Sequence, residues 1–254
     1  MRVRVLGAYG AEGTTARPSA FLVNERTLID AGSVGGALEI GEQLSVEHAL
    51  ISHSHLDHVA GLAFLTETMA LSQAPRPVTL HAIGPVVESL RSSLFNDIVW
   101  TDFTRIPSPE KPVLQYRELT EDAAQRVGDL WVTPVRVDHT VPGSGFIVHD
   151  GTSGLAYSGD TGPTQALWDA VKQCPQVRAV ILECSFPNRL APIAEAAKHL
   201  TPELIASEID KLPSHLPVWI FHIKPLVFDE TVAELKQICG ERVIVVEQGK
   251  TYEI

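Results

Sequence analysis

Ile51-Ser52-His53-Ser54-His55-Leu56-Asp57-His58-Val59-Ala60-Gly61-Leu62 decides how the rest of this 254-residue chain is understood. It holds three histidines and one aspartate between positions 53 and 58. Imidazole and carboxylate are the preferred ligands of zinc and similar divalent ions. The apolar run Ala49-Leu50-Ile51 leads in, and an apolar helical pattern follows from Val59. This context predicts ligands on a turn at the C-terminal end of a strand, just before a helix. In an extended turn His53 and His55 project to one side and can share an ion. Asp57 and His58 lie beyond the bend and can reach a second. The bland alternative is a polar helix start, with Asp57 as a cap and solvated histidines. It explains a lone histidine better than a cluster of this density.

The length suits one large α/β domain or two small ones, and with no domain boundary visible along the chain the reading is a single domain spanning residues 1–254. Hydrophobic residues make up 44% of the chain, enough for a sizeable core. No apolar run approaches the roughly 20 residues of a membrane helix. The start, Met1-Arg2-Val3-Arg4-Val5-Leu6-Gly7, enters an alternating strand pattern without a signal-peptide core. Cys174, Cys184 and Cys239 are scattered in apolar segments without metal-type spacing. They read as reduced, buried filler and point to the cytoplasm. The net charge of −11, with dispersed lysines and arginines, argues against nucleic acid as partner. A small anion remains compatible, because bound divalent cations would dominate the local field.

Residues 2–6 and 20–30 read as strands, with a hairpin at Asn24-Glu25-Arg26. The Gly/Thr-rich stretch from Gly7 to Arg17 fits neither dinucleotide nor P-loop spacing and reads as a turn approaching the site. A short helix over 36–44, a strand over 49–52 and a helix over 59–72 follow, the last broken by Pro75-Arg76-Pro77. Next come a strand at 78–83, a helix to about Leu94 and a surface connection over 104–119. The second half predicts strands at 130–137, 145–149, 154–158, 177–182, 218–221, 243–247 and 250–254. Helices are predicted at 164–173, 191–197, 202–211 and 226–238. Three further strand ends carry candidate ligands: His139, Asp160 and His222. Each alone has a plain structural explanation, as a surface histidine, a tight-turn aspartate and a core histidine. His48, His81, His149 and His215 read as structure or surface.

His53-Ser54-His55-Leu56-Asp57-His58 resembles the signature of the metallo-β-lactamase superfamily of dinuclear hydrolases. The resemblance implies an α/β fold of four layers, αββα, with two mixed sheets between helices, and the strand pattern agrees. It also implies the ligand set. His53 and His55, with His139, would bind one metal; Asp57 and His58, with His222, would bind the other; Asp160 would bridge them. The implied cofactors are two divalent ions, zinc first, with manganese or iron accepted by the same ligands. A water bridging them would lose its proton at neutral pH and attack phosphorus.

Glu183-Cys184-Ser185-Phe186 and His199-Leu200-Thr201-Pro202 resemble the Glu-Ala-Thr and His-x-Thr elements of transfer-RNA 3′-end endonucleases. There the pair donates the leaving-group proton. Asp57, Glu183 and His199 are thus the implied catalytic residues; the alternative is that Glu183 caps the next helix and that His199-Leu200-Thr201-Pro202 is only a helix start. Leu94-Phe95-Asn96-Asp97-Ile98-Val99-Trp100, Ser158-Gly159-Asp160-Thr161-Gly162-Pro163 and His222-Ile223-Lys224-Pro225 extend the resemblance to class II cyclic-nucleotide phosphodiesterases. That branch implies hydrolysis of 3′,5′-cyclic AMP, with cyclic GMP second, to the 5′-monophosphate. Asn96 would then hydrogen-bond the nucleoside and Trp100 or Phe103 would stack on it, with core packing of Trp100 an equal competitor. One departure is Asp138-His139-Thr140, where that branch has Ser-His-Gly. The rivals are a transfer-RNA endonuclease, for which no basic clamping arm is visible, a β-lactam or thioester hydrolase, and a non-catalytic metal-dependent nucleotide-binding module. The expected partner is a small anionic nucleotide, with no membrane and a homodimer as the commonest assembly.

Overall fold

A computed structural model describes residues 1–72 and 76–254. The helix breaker assigned to Pro75 therefore lies outside the described residues. The first half runs β1 (Arg2–Gly7), β2 (Ala20–Val23), β3 (Thr27–Ala31), α1 (Ile40–Gln43), β4 (His48–Leu50), α2 (Leu56–Leu71), β5 (Val78–Ile83), α3 (Gly84–Ser93), the small hairpin β6 (Pro107–Ser108) and β7 (Lys111–Pro112), and β8 (Leu114–Leu119). The second half runs β9 (Gln125–Val127), β10 (Leu130–Arg136), β11 (Ser144–His149), β12 (Gly154–Tyr157), α4 (Ala166–Gln173), β13 (Val177–Glu183), α5 (Ala191–Ala197), α6 (Pro202–Ile209), β14 (Val218–Phe221), α7 (Phe228–Cys239), β15 (Val243–Val245) and β16 (Thr251–Glu253).

Two seven-stranded sheets result, ordered β16-β1-β2-β3-β4-β5-β8 and β15-β14-β13-β12-β11-β10-β9. Each is mixed: β3, β4, β5 and β8 run parallel, as do β12 to β15, and the remaining pairs are antiparallel. Both faces of each sheet are covered, so central strands read as continuous apolar runs rather than alternating ones. In β4 and the residue after it, Ala49 and Ile51 join the outer core under α2 and α3, while Leu50 joins the layer between the sheets. That inner layer is built on Phe21, Ile29, Phe146, Tyr157 and Phe221. Trp168, Ile205 and Leu235 pack α4, α6 and α7 on the outer face of the second sheet. The architecture is the four-layer αββα sandwich.

The expected hairpin forms, with Asn24 and Glu25 at φ 48° and 61° in left-handed backbone. Three local expectations need correction. The span 104–119 is not wholly a surface connection: Leu114–Leu119 is an edge strand parallel to β5, anchored by buried Leu114 and Leu119. Exposed Gln115, Arg117 and Glu118 between them hid it, because an edge strand keeps much of its surface in water. Helix α2 begins at Leu56, not Val59, so Asp57 and His58 sit in its first turn. Cys184 and Cys239 are buried, but Cys174 is only partly so. Among the described residues no helix is long and apolar enough to cross a membrane.

Candidate active site

The parallel strands of both sheets end at one edge, where candidate side chains gather from β4, β10, β12, β13 and β14. Ile51 and Ser52 are tied down first: the Ile51 amide donates to the His81 carbonyl and the Ser52 amide to Asp30. The chain stays extended to His55, the N-cap of α2 at φ −66° and ψ 147°. Asp57 then falls in the helix's first turn, where its charge faces the positive end of the helix dipole.

Atoms of His53, His55, His139 and Asp160 lie within 4.8 Å of one another, and so do atoms of Asp57, His58 and His222. Asp160 joins the two groups, with Oδ1 3.2 Å from His58 Nε2 and Oδ2 3.3 Å from His222 Nε2 and 3.6 Å from His53 Nε2. Imidazole nitrogens face each other at 3.1 Å (His58 and His222) and 3.2 Å (His55 and His139). Two ligands of one tetrahedral zinc stand about 3.3 Å apart, given metal–nitrogen bonds of about 2.0–2.1 Å. The buried Nε2 of His53 and Oδ1 of Asp160 make no hydrogen bond. Orphaned lone pairs aimed into a cluster of imidazoles and carboxylates fit divalent cations.

The other ring nitrogens explain how those lone pairs are presented. His58 Nδ1 donates to Asp30 Oδ2 at 2.7 Å. Ser52 Oγ also donates to Asp30 Oδ2, at 2.7 Å, so it accepts from His53 Nδ1 at 3.0 Å. Ser185 Oγ donates to Glu183 Oε2 and accepts from His222 Nδ1 at 2.9 Å. In each case the proton sits on Nδ1 and Nε2 points into the cluster. Asp30 is the hub: it accepts from the Ser52 amide, the Ser52 hydroxyl, His58 and, across the sheets, the Tyr157 hydroxyl at 2.6 Å. A β-bulge carries it, at φ 51° between the pairs Phe21–Ile29 and Ala20–Ala31. Sequence reasoning passed over Asp30; its one signal was an acid directly after the apolar pair Leu28-Ile29, in a strand that the structure buries throughout. Gly10 was likewise missed. A Cβ there would lie 2.8 Å from the His222 ring, so the Gly/Thr-rich loop does approach the site.

Burial lowers the proton affinity of His53, His55, His139 and His222, and the His139 ring falls to about 4. These rings are neutral near pH 7, as ligands must be. Burial opposes the charges of Asp57 and Asp160, but the surrounding imidazoles outweigh it and hold both carboxyls below their usual range. His58 resists burial too, raised by Asp160 and Asp30.

Beside the cluster, His199 Nδ1 donates to Glu183 Oε1 at 2.8 Å. Burial disfavours the imidazolium, yet the Glu183 carboxylate and its hydrogen bond raise His199 above its ordinary value. Glu183 also accepts from the Thr161 amide, one residue from Asp160. Lys224, another residue missed, sets its ammonium 3.6 Å from Asp57 and donates to the Gly10 carbonyl. The unusual Asp138 pairs with Lys198 at 2.6 Å, and the Lys198 carbonyl accepts from His139 Nδ1 at 3.3 Å.

The structure does not bring Asn96, Trp100 and Phe103 to these groups. The Asn96 carbonyl accepts from the Ile98 and Val99 amides and its amide donates to Ser92, so the side chain builds its own loop. The Trp100 indole donates to the Ala63 carbonyl of α2 at 3.0 Å, and Phe103 is buried in the outer core.

The family model for a beta-lactamase superfamily domain matches residues 27–245. The chain is 29% identical over 241 residues to the "Probable 3′,5′-cyclic-nucleotide phosphodiesterase" of Yersinia pestis, covering 81% of this chain and 67% of that one. A ribonuclease Z of Halorubrum lacusprofundi is 38% identical over 87 residues, 32% of this chain and 28% of that one. Unliganded yeast PDE1 superposes with a TM-score of 0.83 over 98% of each chain, at 17% identity, which shows a shared fold. With the family match spanning most of the sequence and every strand end that feeds the cluster, the chain belongs to the metallo-β-lactamase superfamily and is a metal-dependent hydrolase.

Proposed function

We propose that the chain hydrolyses 3′,5′-cyclic nucleotides, cyclic AMP or cyclic GMP, to the 5′-monophosphates. One observation carries the reading: a hydrogen-bonded Glu183–His199 pair stands against the cluster of seven candidate ligands, with atoms of His199, Asp160 and His222 within 4.8 Å. The thiolate of a thioester leaves without such a donor, whereas an alkoxide leaving from phosphorus calls for one. The long match to a phosphodiesterase-named relative supports the same reading.

His53, His55 and His139 would hold one cation, Asp57, His58 and His222 the other, and Asp160 both; zinc suits this donor set best. Bound there, two divalent cations would supply Lewis acidity toward the phosphoryl oxygens and lower the pKa of a water nucleophile. His199, kept protonated by Glu183, delivers its Nε2 proton to O3′ as the P–O3′ bond breaks. The water oxygen ends on phosphorus and the 5′ ester remains. Ser185 links Glu183 to His222, so the acid and the ligand set are fixed by one hydroxyl. Lys224 adds positive charge at the mouth of the site and favours an anionic substrate.

The local identity to ribonuclease Z supports a second reading, transfer-RNA 3′-end cleavage, with the same ligands and the same acid. Product analysis separates the two. Purified protein loaded with zinc or manganese is given cyclic AMP, cyclic GMP and a precursor transfer RNA, with an EDTA-stripped control. Appearance of 5′-AMP or 5′-GMP, lost on stripping and restored by metal, is the expected result. RNA cleavage with both cyclic nucleotides intact would replace the first reading with the second. Metal binding without turnover of any substrate would reject both.

A further inference from the structure

Next to the cluster, a cleft of about 810 Å³ opens between the Gly/Thr-rich loop, the loop after β3 and the first two turns of α2. Its size falls within the range of small-molecule sites, about 300–1,000 Å³. Asp57 lines its inner end, so a ligand whose phosphate sits at the cluster extends its other half into this space. The two walls differ in chemistry. On α2, Phe64 is 58% exposed, and its ring meets Trp100 edge-on at 5.3 Å. Trp100 is in turn fixed by its bond to the Ala63 carbonyl. A large aromatic face left open to solvent and braced from behind is a stacking platform.

The opposite wall carries Arg17. Its Nε donates to the Leu6 carbonyl at 2.6 Å and its Nη1 to the Gly36 carbonyl at 3.4 Å. Among the described ion pairs none involves this guanidinium, which leaves Nη2 free to donate. Gln248 fixes the loop by accepting from the Arg17 amide at 2.7 Å and donating to the Thr15 carbonyl at 3.2 Å. A flat apolar face opposite a held donor suits a planar ring with acceptors on its edge.

We propose that this cleft binds the nucleoside half of the substrate, with the base stacked on Phe64 and the Arg17 guanidinium donating to the acceptor edge of a purine. The proposal rests on the cyclic-nucleotide reading above. A donor-only group meets two acceptors on guanine, O6 and N7, and one on adenine, N7. The subsite therefore favours cyclic GMP, and Trp100 serves it as a positioning residue behind Phe64.

The test compares kcat/KM for cyclic GMP, cyclic AMP and a base-free ribose 3′,5′-cyclic phosphate in the wild type, Phe64→Ala and Arg17→Gln. Stacking contributes about 1–3 kcal/mol per base, or about 5- to 150-fold. The wild type should prefer both nucleotides over the base-free diester by about tenfold or more. Phe64→Ala should shrink that preference for both; Arg17→Gln should shrink it more for cyclic GMP than for cyclic AMP. Phe64 is exposed, so its variant folds even if loss of Arg17 loosens the loop. A wild type that hydrolyses the base-free diester as well as the nucleotides would overturn the subsite alone. So would preferences untouched by either substitution. A wild type inert toward all three would overturn the phosphodiesterase reading and the subsite together.

Discussion

Asp30→Asn removes one charge from the buried hub and should disarm two ligands it never touches through Nε2. The remaining oxygen must stay on the Ser52 amide, which can only donate. The new amide nitrogen then faces the Ser52 hydroxyl, His58 Nδ1 and the Tyr157 hydroxyl, all three of which donate to Asp30 in the native chain. Ser52 Oγ can turn to accept, but its proton then goes to His53 Nδ1 and forces the His53 proton onto Nε2. His58 meets the same demand directly. Both rings present N–H where a lone pair is required. Loss of one supporting hydrogen bond to a metal ligand costs about 10- to 100-fold in affinity. Two affected ligands, in different halves of the cluster, give about 10²- to 10⁴-fold, or about 2.7–5.5 kcal/mol. The assay is competition for zinc against a chromophoric chelator, with circular dichroism to verify the fold. A folded Asp30→Asn protein that binds zinc as tightly as the wild type would refute the tautomer argument. Asp30→Ala is the wrong probe. It strands four donors at about 1–3 kcal/mol each, which rivals the whole stability of a domain, about 5–15 kcal/mol.

Other perturbations address the remaining groups. Asp160→Ala should lower metal content as well as activity, and wild-type metal stoichiometry in that variant would end its bridging role. His199→Ala should leave metal bound and slow cyclic-nucleotide hydrolysis by about 10²- to 10⁴-fold, but slow a p-nitrophenyl ester far less, because p-nitrophenolate leaves without a proton; equal slowing of both would count against the acid role. A third test concerns His81, which lies between the sheets with Nε2 3.2 Å from His48 Nδ1. Burial, then the neighbouring His48 and Arg117, lower its pKa from 6.5 to about 3. The folded ring is neutral where the unfolded one is charged, so its contribution is complete above pH 6.5 and is lost as pH falls toward 3. The slope is about 1.4 kcal/mol per pH unit, or about 2 kcal/mol between pH 6.5 and 5. Urea titrations should show His81→Asn losing less stability than the wild type over that interval; parallel pH profiles would remove the assignment.

What the sequence made legible follows from how local each signal is. His53 to His58 lie within one turn, so the ligand cluster could be read from spacing, and the sheets followed from buried apolar runs. His139, Asp160 and His222 were found at strand ends, because parallel strands deliver their C-terminal residues to a common edge. Asp30 reaches the same edge only through a bulge that no composition rule signals. Lys224 and Gly10 meet because the His222 amide donates to the Ala8 carbonyl, a pairing of residues more than 200 positions apart. The aromatic, acidic stretch 95–103 looked like a ligand contact because it is odd for a connection. The structure gives it a different occupation: Asn96 and Asp97 satisfy backbone amides of their own loop, while Trp100 and Phe103 pack toward α2 and the outer core.

The two sheets do not contribute equally to the site, and the division bears on how catalysis is assembled. His53, His55, Asp57 and His58 follow the first sheet's β4, while His139, Asp160, His222 and Glu183 come from strand ends of the second. Neither sheet alone brings more than four of the seven candidate ligands. Each proposed cation draws ligands from both, and Asp160 of the second sheet stands against His53 and His58 of the first. The Tyr157–Asp30 hydrogen bond crosses the same seam and is supported beneath by the Phe21, Tyr157 and Phe221 rings, whose centroids are 5.1–5.6 Å apart. Packing between the sheets thus sets the distances between ligands before any ion arrives, and a cation bound to both halves favours the packed state in return. The acid follows the same logic. Glu183 and His199 belong to the second sheet and its following helices, so the proposed proton donor is fixed to Asp160 and His222 rather than to the histidine motif. A change that slides one sheet over the other should therefore disturb the ligand set before it disturbs the donor.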